Sequence, residues 1–199
     1  MTEIRMATVE DASAVLEIYT PYVQHSSISF EEESPSLQEM ERRIADCLKH
    51  CPFLVCEMDG KTAGYAYASR YRTRSAYRYD VESSIYLAPE FQGRQIGSAL
   101  YQALLELLRA QGFFTVYAAI TVPNEQSVGF HHQFGFRTLG VHPASGYKQG
   151  AWRDVLWMEK TLLARDGVPG QVLSPQSLAP ALLETALLNA GSRLSAPAK

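Results

Sequence analysis

The stretch Ser83-Ser84-Ile85-Tyr86-Leu87-Ala88-Pro89-Glu90-Phe91-Gln92-Gly93-Arg94-Gln95-Ile96-Gly97-Ser98-Ala99-Leu100 runs from a β-rich apolar segment, through an Ala-Pro break, into a short loop with two glycines. Beyond Gly97, Leu100, Leu104, Leu107 and Leu108 fall at i, i+4, i+7 and i+8, which predicts a long helix. A strand, a glycine turn and a helix start aim several backbone N–H groups at one spot. The positive end of the helix dipole faces the same spot, so it suits phosphate oxygens. A side chain at the glycines would block the close approach of an anion. Gln92 and Arg94 add donors at the rim. A Walker loop would need a Gly-Lys-Ser/Thr ending, which is missing, and Gln95 spoils the glycine spacing of a dinucleotide fingerprint. Two glycines also fit an ordinary strand-to-helix turn, so the rest of the chain has to decide.

The chain has 199 residues, is 46% hydrophobic and 20% charged, and carries a formal charge of −3. That length predicts one domain, residues 1–163, followed by a tail, residues 164–199. The charge gives no electrostatic case for nucleic acid or an anionic membrane as partner. No apolar run approaches a membrane span, and Met1-Thr2-Glu3-Ile4-Arg5 starts no signal peptide, so a cytoplasmic protein is expected. Cys47, Cys51 and Cys56 cannot all pair with one another and complete no zinc pattern. Reduced, partly buried thiols and no metal are expected.

In chain order, Ile4–Ala7 predicts a short strand, and Thr8 with Asp11 a capped helix whose face is Ala12, Val15, Leu16 and Tyr19. Residues 22–33 are expected to form a solvated loop. Ser36-Leu37-Gln38-Glu39 opens a second helix that buries Leu37, Met40, Ile44 and Leu48. Residues 53–58 and 62–68 predict a hairpin around Asp59-Gly60. The next ten residues, Arg70 to Tyr79, interleave arginines with tyrosines, which suits a small anion better than nucleic acid in an acidic chain.

Residues 80–87 predict a strand with Asp80, Glu82, Ser84 and Tyr86 on one face. A carboxylate in mid-strand, Glu82, lies either on a solvated face or in a cleft. Gly112 supplies a helix C-cap, 114–121 a strand, and Pro123-Asn124-Glu125-Gln126-Ser127 leads into a further helix. Residues 136–141 and 154–162 predict a closing strand pair around a loop, 142–152. In the tail, Leu178, Leu182, Leu183 and Ala186 predict a short helix between disordered ends, packed on the domain or on a second subunit.

The order strand, Gln92-Gly93-Arg94-Gln95-Ile96-Gly97, long helix, strand, then Asn124-x-x-Ser127 and Gly135-Phe136, resembles the GNAT superfamily of acetyl-CoA-dependent N-acyltransferases from about residue 3 to 162. More closely it resembles the phosphinothricin and methionine sulfone/sulfoximine acetyltransferase branch. That likeness is carried by Tyr22-Val23, Ser29-Phe30-Glu31, Arg74-Ser75-Ala76-Tyr77-Arg78 leading into Val81-Glu82, His131, and Gly146-Tyr147-Lys148-x-Gly150-x-Trp152-x-Asp154-Val155.

The resemblance implies an α+β fold: a mixed, mostly antiparallel twisted sheet of six or seven strands, about four flanking helices and a C-terminal helical tail. It implies acetyl-CoA as co-substrate, no metal, and a small amine acceptor of the amino-acid type, acetylated by direct attack. Backbone groups of Ile85, Tyr86 and Leu87 would align the pantetheine arm, with a ladder break beside Tyr86 and Leu87. Gln92, Gly93, Arg94, Gln95, Ile96, Gly97 and Ser98 would hold the pyrophosphate, and Asn124 and Ser127 would lie beside the arm.

Glu82 would be the base, and His131 would protonate the departing thiolate or hold the cofactor, unless it only packs its helix. Phe30, Glu31, Arg72, Arg74, Ser75, Ala76 and Tyr77 would bind the acceptor, and a homodimer would complete the pocket. Family loops place glycine where Gln95 stands; a non-glycine residue there donates its backbone N–H only if its φ is negative, and a weaker hold on the cofactor is expected. Alternatives are another amine acceptor (a polyamine, an aminoglycoside, a peptide N-terminus) or a non-catalytic acyl-CoA-binding domain.

Overall fold

The computed structural model describes residues 2–194. Seven strands form one sheet: β1 (Thr2–Met6), β2 (Phe53–Met58), β3 (Lys61–Arg70), β4 (Asp80–Leu87), β5 (Thr115–Val122), β6 (Arg137–Lys148) and β7 (Ala151–Thr161). Their order is β1-β2-β3-β4-β5-β7-β6, antiparallel throughout except for the parallel pair β4–β5. Asp59 (φ 53°) and Gly60 (φ 79°) both take the left-handed conformation that closes a two-residue hairpin between β2 and β3.

Helices α1 (Ala12–His25) and α2 (Leu37–Leu48) cover one face. Helix α3 (Ile96–Gln111) covers the other, with α4 (Glu125–Gln133) and α5 (Pro180–Leu194) packed beside it. Leu100, Leu104, Leu107 and Leu108, the period that predicts α3, are fully buried. The expected mixed, mostly antiparallel α+β sheet and the C-terminal helix are therefore both present. No helix among the described residues is long and apolar enough to cross a membrane.

Four local expectations are corrected. First, α1 runs to His25 through Pro21, so Tyr22 to His25 are helical. Pro21 removes one helix hydrogen bond; burial of Val23 and the bond from the Tyr22 hydroxyl to the Leu87 carbonyl (2.6 Å) hold the helix on past it. Second, residues 26–33 are no simple solvated connection. Ser29 is buried against the Tyr19 hydroxyl at 2.7 Å, and the Lys148 ammonium donates to the Ser29 carbonyl at 2.5 Å.

Third, Leu37 is exposed. It sits at the first position of α2, just after the N-cap Ser36, while Met40 and Ile44 carry the buried face. Fourth, residues 142–152 are strand, not loop. β6 and β7 meet in a two-residue turn, Gln149 (φ 52°) and Gly150 (φ 74°), and the irregularity sits earlier, where the register slips between His142 and Gly146. Gln-Gly is a poor hairpin signal in a sequence because glutamine seldom takes positive φ.

The tail packs on the domain: Leu178, Ala186 and Ala190 are buried, and α5 lies against α3 and β1. The buried Gln111 amide donates to the carbonyls of His50 (2.9 Å) and Leu173 (2.7 Å), tying the tail to the end of α2. The cysteines are unpaired as expected, and burial pushes the Cys51 and Cys56 thiols up to about 12.

Candidate active site

β4 keeps β3 as a partner along its whole length, yet pairs with β5 only from Asp80 to Glu82, opposite Thr115 to Tyr117. Past Glu82 the two parallel strands separate, and the edge of β4 from Ser83 to Leu87 faces a gap. The ladder break therefore begins earlier than expected, just past Glu82. Here Ser83 Oγ is hydrogen-bonded to the Tyr101 hydroxyl (2.7 Å) and to the Tyr117 carbonyl (3.3 Å). The gap, about 70 Å³, is walled by Ser84, Ile85 and Tyr86 on one side and Ala118–Thr121 on the other, with Asn124, Ser127 and His131 closing it. A second cavity of about 180 Å³, reaching Leu87, Gln92 and Gly97, shares Ile28, Ile85, Asn124 and Ser127 with it. The two cavities adjoin along these shared residues, one beside the split strands and the other beside the glycine loop, and the pair is termed the channel.

In that loop Gly93 has φ 76° and Gln95 φ 62°. The condition of a negative φ at Gln95 is not met: glutamine takes the left-handed conformation itself and carries local strain. No side chain caps the start of α3, so its first-turn N–H groups remain available at the channel mouth. Arg94 has no carboxylate partner among the described residues; its guanidinium lies over the Phe91 ring, 5.4 Å from the centroid. Ile96 is buried, Ser98 is half-buried, and Gln92 reaches the Tyr22 hydroxyl at 3.4 Å.

A left-handed non-glycine residue costs about 1–2 kcal/mol, so Gln95→Gly is expected to stabilise the protein. At roughly 2–4 °C per kcal/mol for a chain of this size, a thermal melt should rise by a few degrees. An unchanged or lowered melt would show that the loop is unstrained.

Glu82 stands at the fork itself, half-buried, in register with Ser69 on one side and Tyr117 on the other. No hydrogen bond or ion pair engages its carboxylate among the described residues, and burial raises its pKa above the ordinary glutamate value. A buried carboxyl without a cationic neighbour holds its proton longer and, once ionised, is a stronger base.

His131 is buried among Tyr101, Phe130 and Phe136. Its Nδ1 lies 2.8 Å from the Ser127 carbonyl, so that nitrogen donates and Nε2 is left as an acceptor. Burial also lowers its pKa, and the ring is neutral near pH 7. Asn124 also shapes its own helix, since its Oδ1 accepts from the Ser127 N–H at 3.0 Å and caps α4. His132 points outward, as expected.

The expected acceptor residues divide into two groups. Phe30 and Glu31 lie on the loop after α1. The Glu31 carboxylate is held by Arg43 (2.7 Å) and the Tyr19 hydroxyl (3.0 Å), so its charge is already balanced. Phe30 covers Gly146, where a Cβ would come within 2.2 Å of the ring. Tyr77 sits edge-on to Tyr71 with centroids 6.0 Å apart, and Ala76 is exposed beside it. Arg72, Arg74 and Ser75 line a separate basic groove with Lys49, Arg70 and the tail, and not the channel.

Gly146→Ala is expected to displace Phe30 and raise KM for the amine severalfold while leaving KM for acetyl-CoA unchanged. Equal changes in both constants would contradict that role. Ile28, which lines both parts of the channel, escapes a reading of the sequence, where nothing marks it out. Tyr117 escapes it too, although the alternation along β5 could have placed it beside Glu82.

The acetyltransferase (GNAT) domain model matches residues 4–157. Phosphinothricin N-acetyltransferase of Streptomyces viridochromogenes is 40% identical over 153 residues, covering 77% of this chain and 84% of that protein. L-methionine sulfoximine/L-methionine sulfone acetyltransferase of Salmonella typhimurium is 32% identical, covering 80% of this chain and 94% of that protein. The crystal structure of a phosphinothricin acetyltransferase from Sinorhizobium meliloti in complex with AcCoA superposes with a TM-score of 0.83 at 35% identity, covering 89% of this chain and 97% of that one.

Proposed function

Because the chain belongs to the GNAT acetyltransferase family, we propose that it transfers the acetyl group of acetyl-CoA to the α-amino group of a small amino-acid-like acceptor of the phosphinothricin or methionine sulfone/sulfoximine type. The observation that carries this reading is the fork itself: the half-buried Glu82 is the last β4 residue paired with β5, its neighbour Ser83 lines the gap, and the adjoining cavity reaches an uncapped helix start. Those residues fit the cofactor. Groups on the edge of Ile85 to Leu87 that β5 leaves unpaired, the Leu87 carbonyl held by Tyr22 excepted, suit its amide-bearing arm, and the N–H groups of Gln92 to Ser98 with Arg94 suit its pyrophosphate. When bound, acetyl-CoA supplies the activated acyl group.

Glu82 takes the proton from the acceptor's ammonium, directly or through water, because an α-amine is mostly protonated near neutral pH and attacks only when free. A strand N–H at the split donates to the carbonyl oxygen as negative charge gathers there. Holding both substrates together provides most of the remaining acceleration, and no acyl-enzyme is needed. His131, neutral with its Nδ1–H on Ser127, supports the wall of the gap; delivering a proton to the leaving thiolate would first require charging a buried ring.

The Glu31–Arg43 ion pair disfavours a polyamine or aminoglycoside, since the acidic group such cations would seek is already engaged. The arginine-rich loop and Tyr77 would complete the acceptor pocket in a homodimer. The 12-residue edge strand β6 exposes Leu139, Val141 and Tyr147, beside the equally exposed Trp152, and offers a face for that pairing. We read the enzyme as cytoplasmic, and the net charge of −3 supports one without nucleic-acid or anionic-membrane partners.

The test is thiol release from acetyl-CoA. Acceptor-dependent release with phosphinothricin, methionine sulfone or methionine sulfoximine is the expected result. No release with any of the three, while acetyl-CoA still binds, would favour a non-catalytic acyl-CoA-binding domain.

A further inference from the structure

Tyr71 lies just past the end of β3, and its N–H donates to the Asp80 carbonyl at 3.3 Å. Tyr117 is on β5, in register with Glu82. β4 runs between these two strands, and neighbouring strands are about 4.8 Å apart, so the backbones of β3 and β5 are roughly 9–10 Å apart. Yet the two rings stack with centroids 4.2 Å apart, 29° from parallel. They can meet only above β4, on the face that carries Asp80 and Glu82. Trp157 meets Tyr71 edge-on at 6.0 Å, Tyr77 does so from the other side, and the Arg72 guanidinium lies 4.9 Å from the Tyr71 centroid. Trp157 Nε1 is itself sealed from water with no hydrogen-bond partner.

We propose that the Tyr71–Tyr117 stack is a positioning element for the base: it closes Glu82 off from water on the side where β4 begins and leaves the approach from the channel open. The amine then has one way in, past Ser84. The bridge spans the face of β4 that carries this carboxylate, whose burial no cation offsets. This inference rests on the reading of Glu82 as base.

The titratable and charged groups on this face include Tyr65 and Tyr67 on β3, Tyr71 just past it, Asp80 and Tyr86 on β4, Tyr117 on β5, His142 on β6 beside Trp157, Glu159 on β7, and Arg72 and Arg165 at the edges. Of the carboxyls on this face, burial raises Asp80 as well as Glu82. Burial also raises the Tyr67 and Tyr117 hydroxyls, and Glu159 is paired with Arg137.

The experiment is the pH dependence of kcat/KM for the amine in the wild type, Tyr71→Ala, Tyr71→Phe, Tyr117→Val and Asp80→Asn, each checked by circular dichroism. Opening the bridge should move the acid limb down by roughly one pH unit in both Tyr71→Ala and Tyr117→Val. These variants would keep a larger share of their plateau rate at low pH, with KM for acetyl-CoA unchanged. Tyr71→Phe and Asp80→Asn should keep the wild-type limb. Limbs of Tyr71→Ala and Tyr117→Val that coincide with the wild type, in a protein that Glu82→Gln inactivates, would overturn the bridge alone. Full turnover in Glu82→Gln would overturn the base and the bridge together.

Discussion

Replacing Glu82 with glutamine is expected to lower kcat roughly 10²–10⁴-fold, the usual contribution of a general base, while acetyl-CoA binds as before. Glutamine keeps the shape of the side chain and the half-buried site but cannot accept a proton. The channel proposed to hold the cofactor begins beyond the fork, at Ser83 to Leu87, so it should not register the change. The pH profile adds a second arm. Burial raises the Glu82 carboxyl, so the base form is fully present only above that raised value, and kcat/KM falls as pH drops through it. The acid limb should therefore lie above the ordinary glutamate range and disappear from the residual rate of the variant. A variant with unchanged turnover would remove Glu82 from the mechanism.

Gly64→Ala should be the most damaging small change outside the reacting groups. A Cβ at Gly64 would meet Leu87 Cδ2 at 2.3 Å and the Tyr86 carbonyl oxygen at 2.9 Å. The leucine can rotate; the carbonyl belongs to the β3–β4 ladder, where Gly64 and Leu87 are partners, and cannot move away. Overpacking of this kind costs about 1–3 kcal/mol, a fall in melting temperature on the order of 5 °C for a chain this long. The displaced segment is the part of β4 proposed to align the cofactor arm, and Leu87 also faces Gly97, whose added Cβ would lie 3.4 Å from its side chain. KM for acetyl-CoA should rise severalfold while kcat at saturation changes less. A normal melt with an unchanged KM would mean that the ladder absorbs the methyl group and that Leu87 does not position the cofactor.

Local signals make most of the fold legible. The leucine period predicts α3, Asp59-Gly60 predicts the first hairpin, and the alternation in residues 80–87 puts Glu82 on the face opposite α3. The failures have physical causes of the same kind. Residues 22–33 read as a loop, but burial of Val23 and the tie from Tyr22 to Leu87 carry α1 to His25. Gln95 and Gln149 both take left-handed backbone conformations that glutamine rarely shows, so the strain at the glycine loop and the second hairpin turn leave no local trace.

The glycine loop, Glu82, Asn124, Ser127 and His131 can be named from sequence because their motifs are local. What surrounds Glu82 cannot, because it comes from register between strands distant in sequence. Tyr71 and Tyr117 are 46 residues apart and meet only because β4 lies between β3 and β5. Likewise, the Arg43 that engages Glu31 comes from α2, so an apparently acidic pocket proves to be balanced.

The most direct test is a competition. Equal concentrations of methionine sulfone, spermidine and a short peptide with a free N-terminus share limiting acetyl-CoA, and the acetylated products are identified by mass spectrometry. The predicted result is N-acetylmethionine sulfone as the dominant product, formed by the wild type and not by Glu82→Gln. Acetyl groups found mainly on spermidine or the peptide would contradict the reading of this site as one for a small amino-acid-like amine.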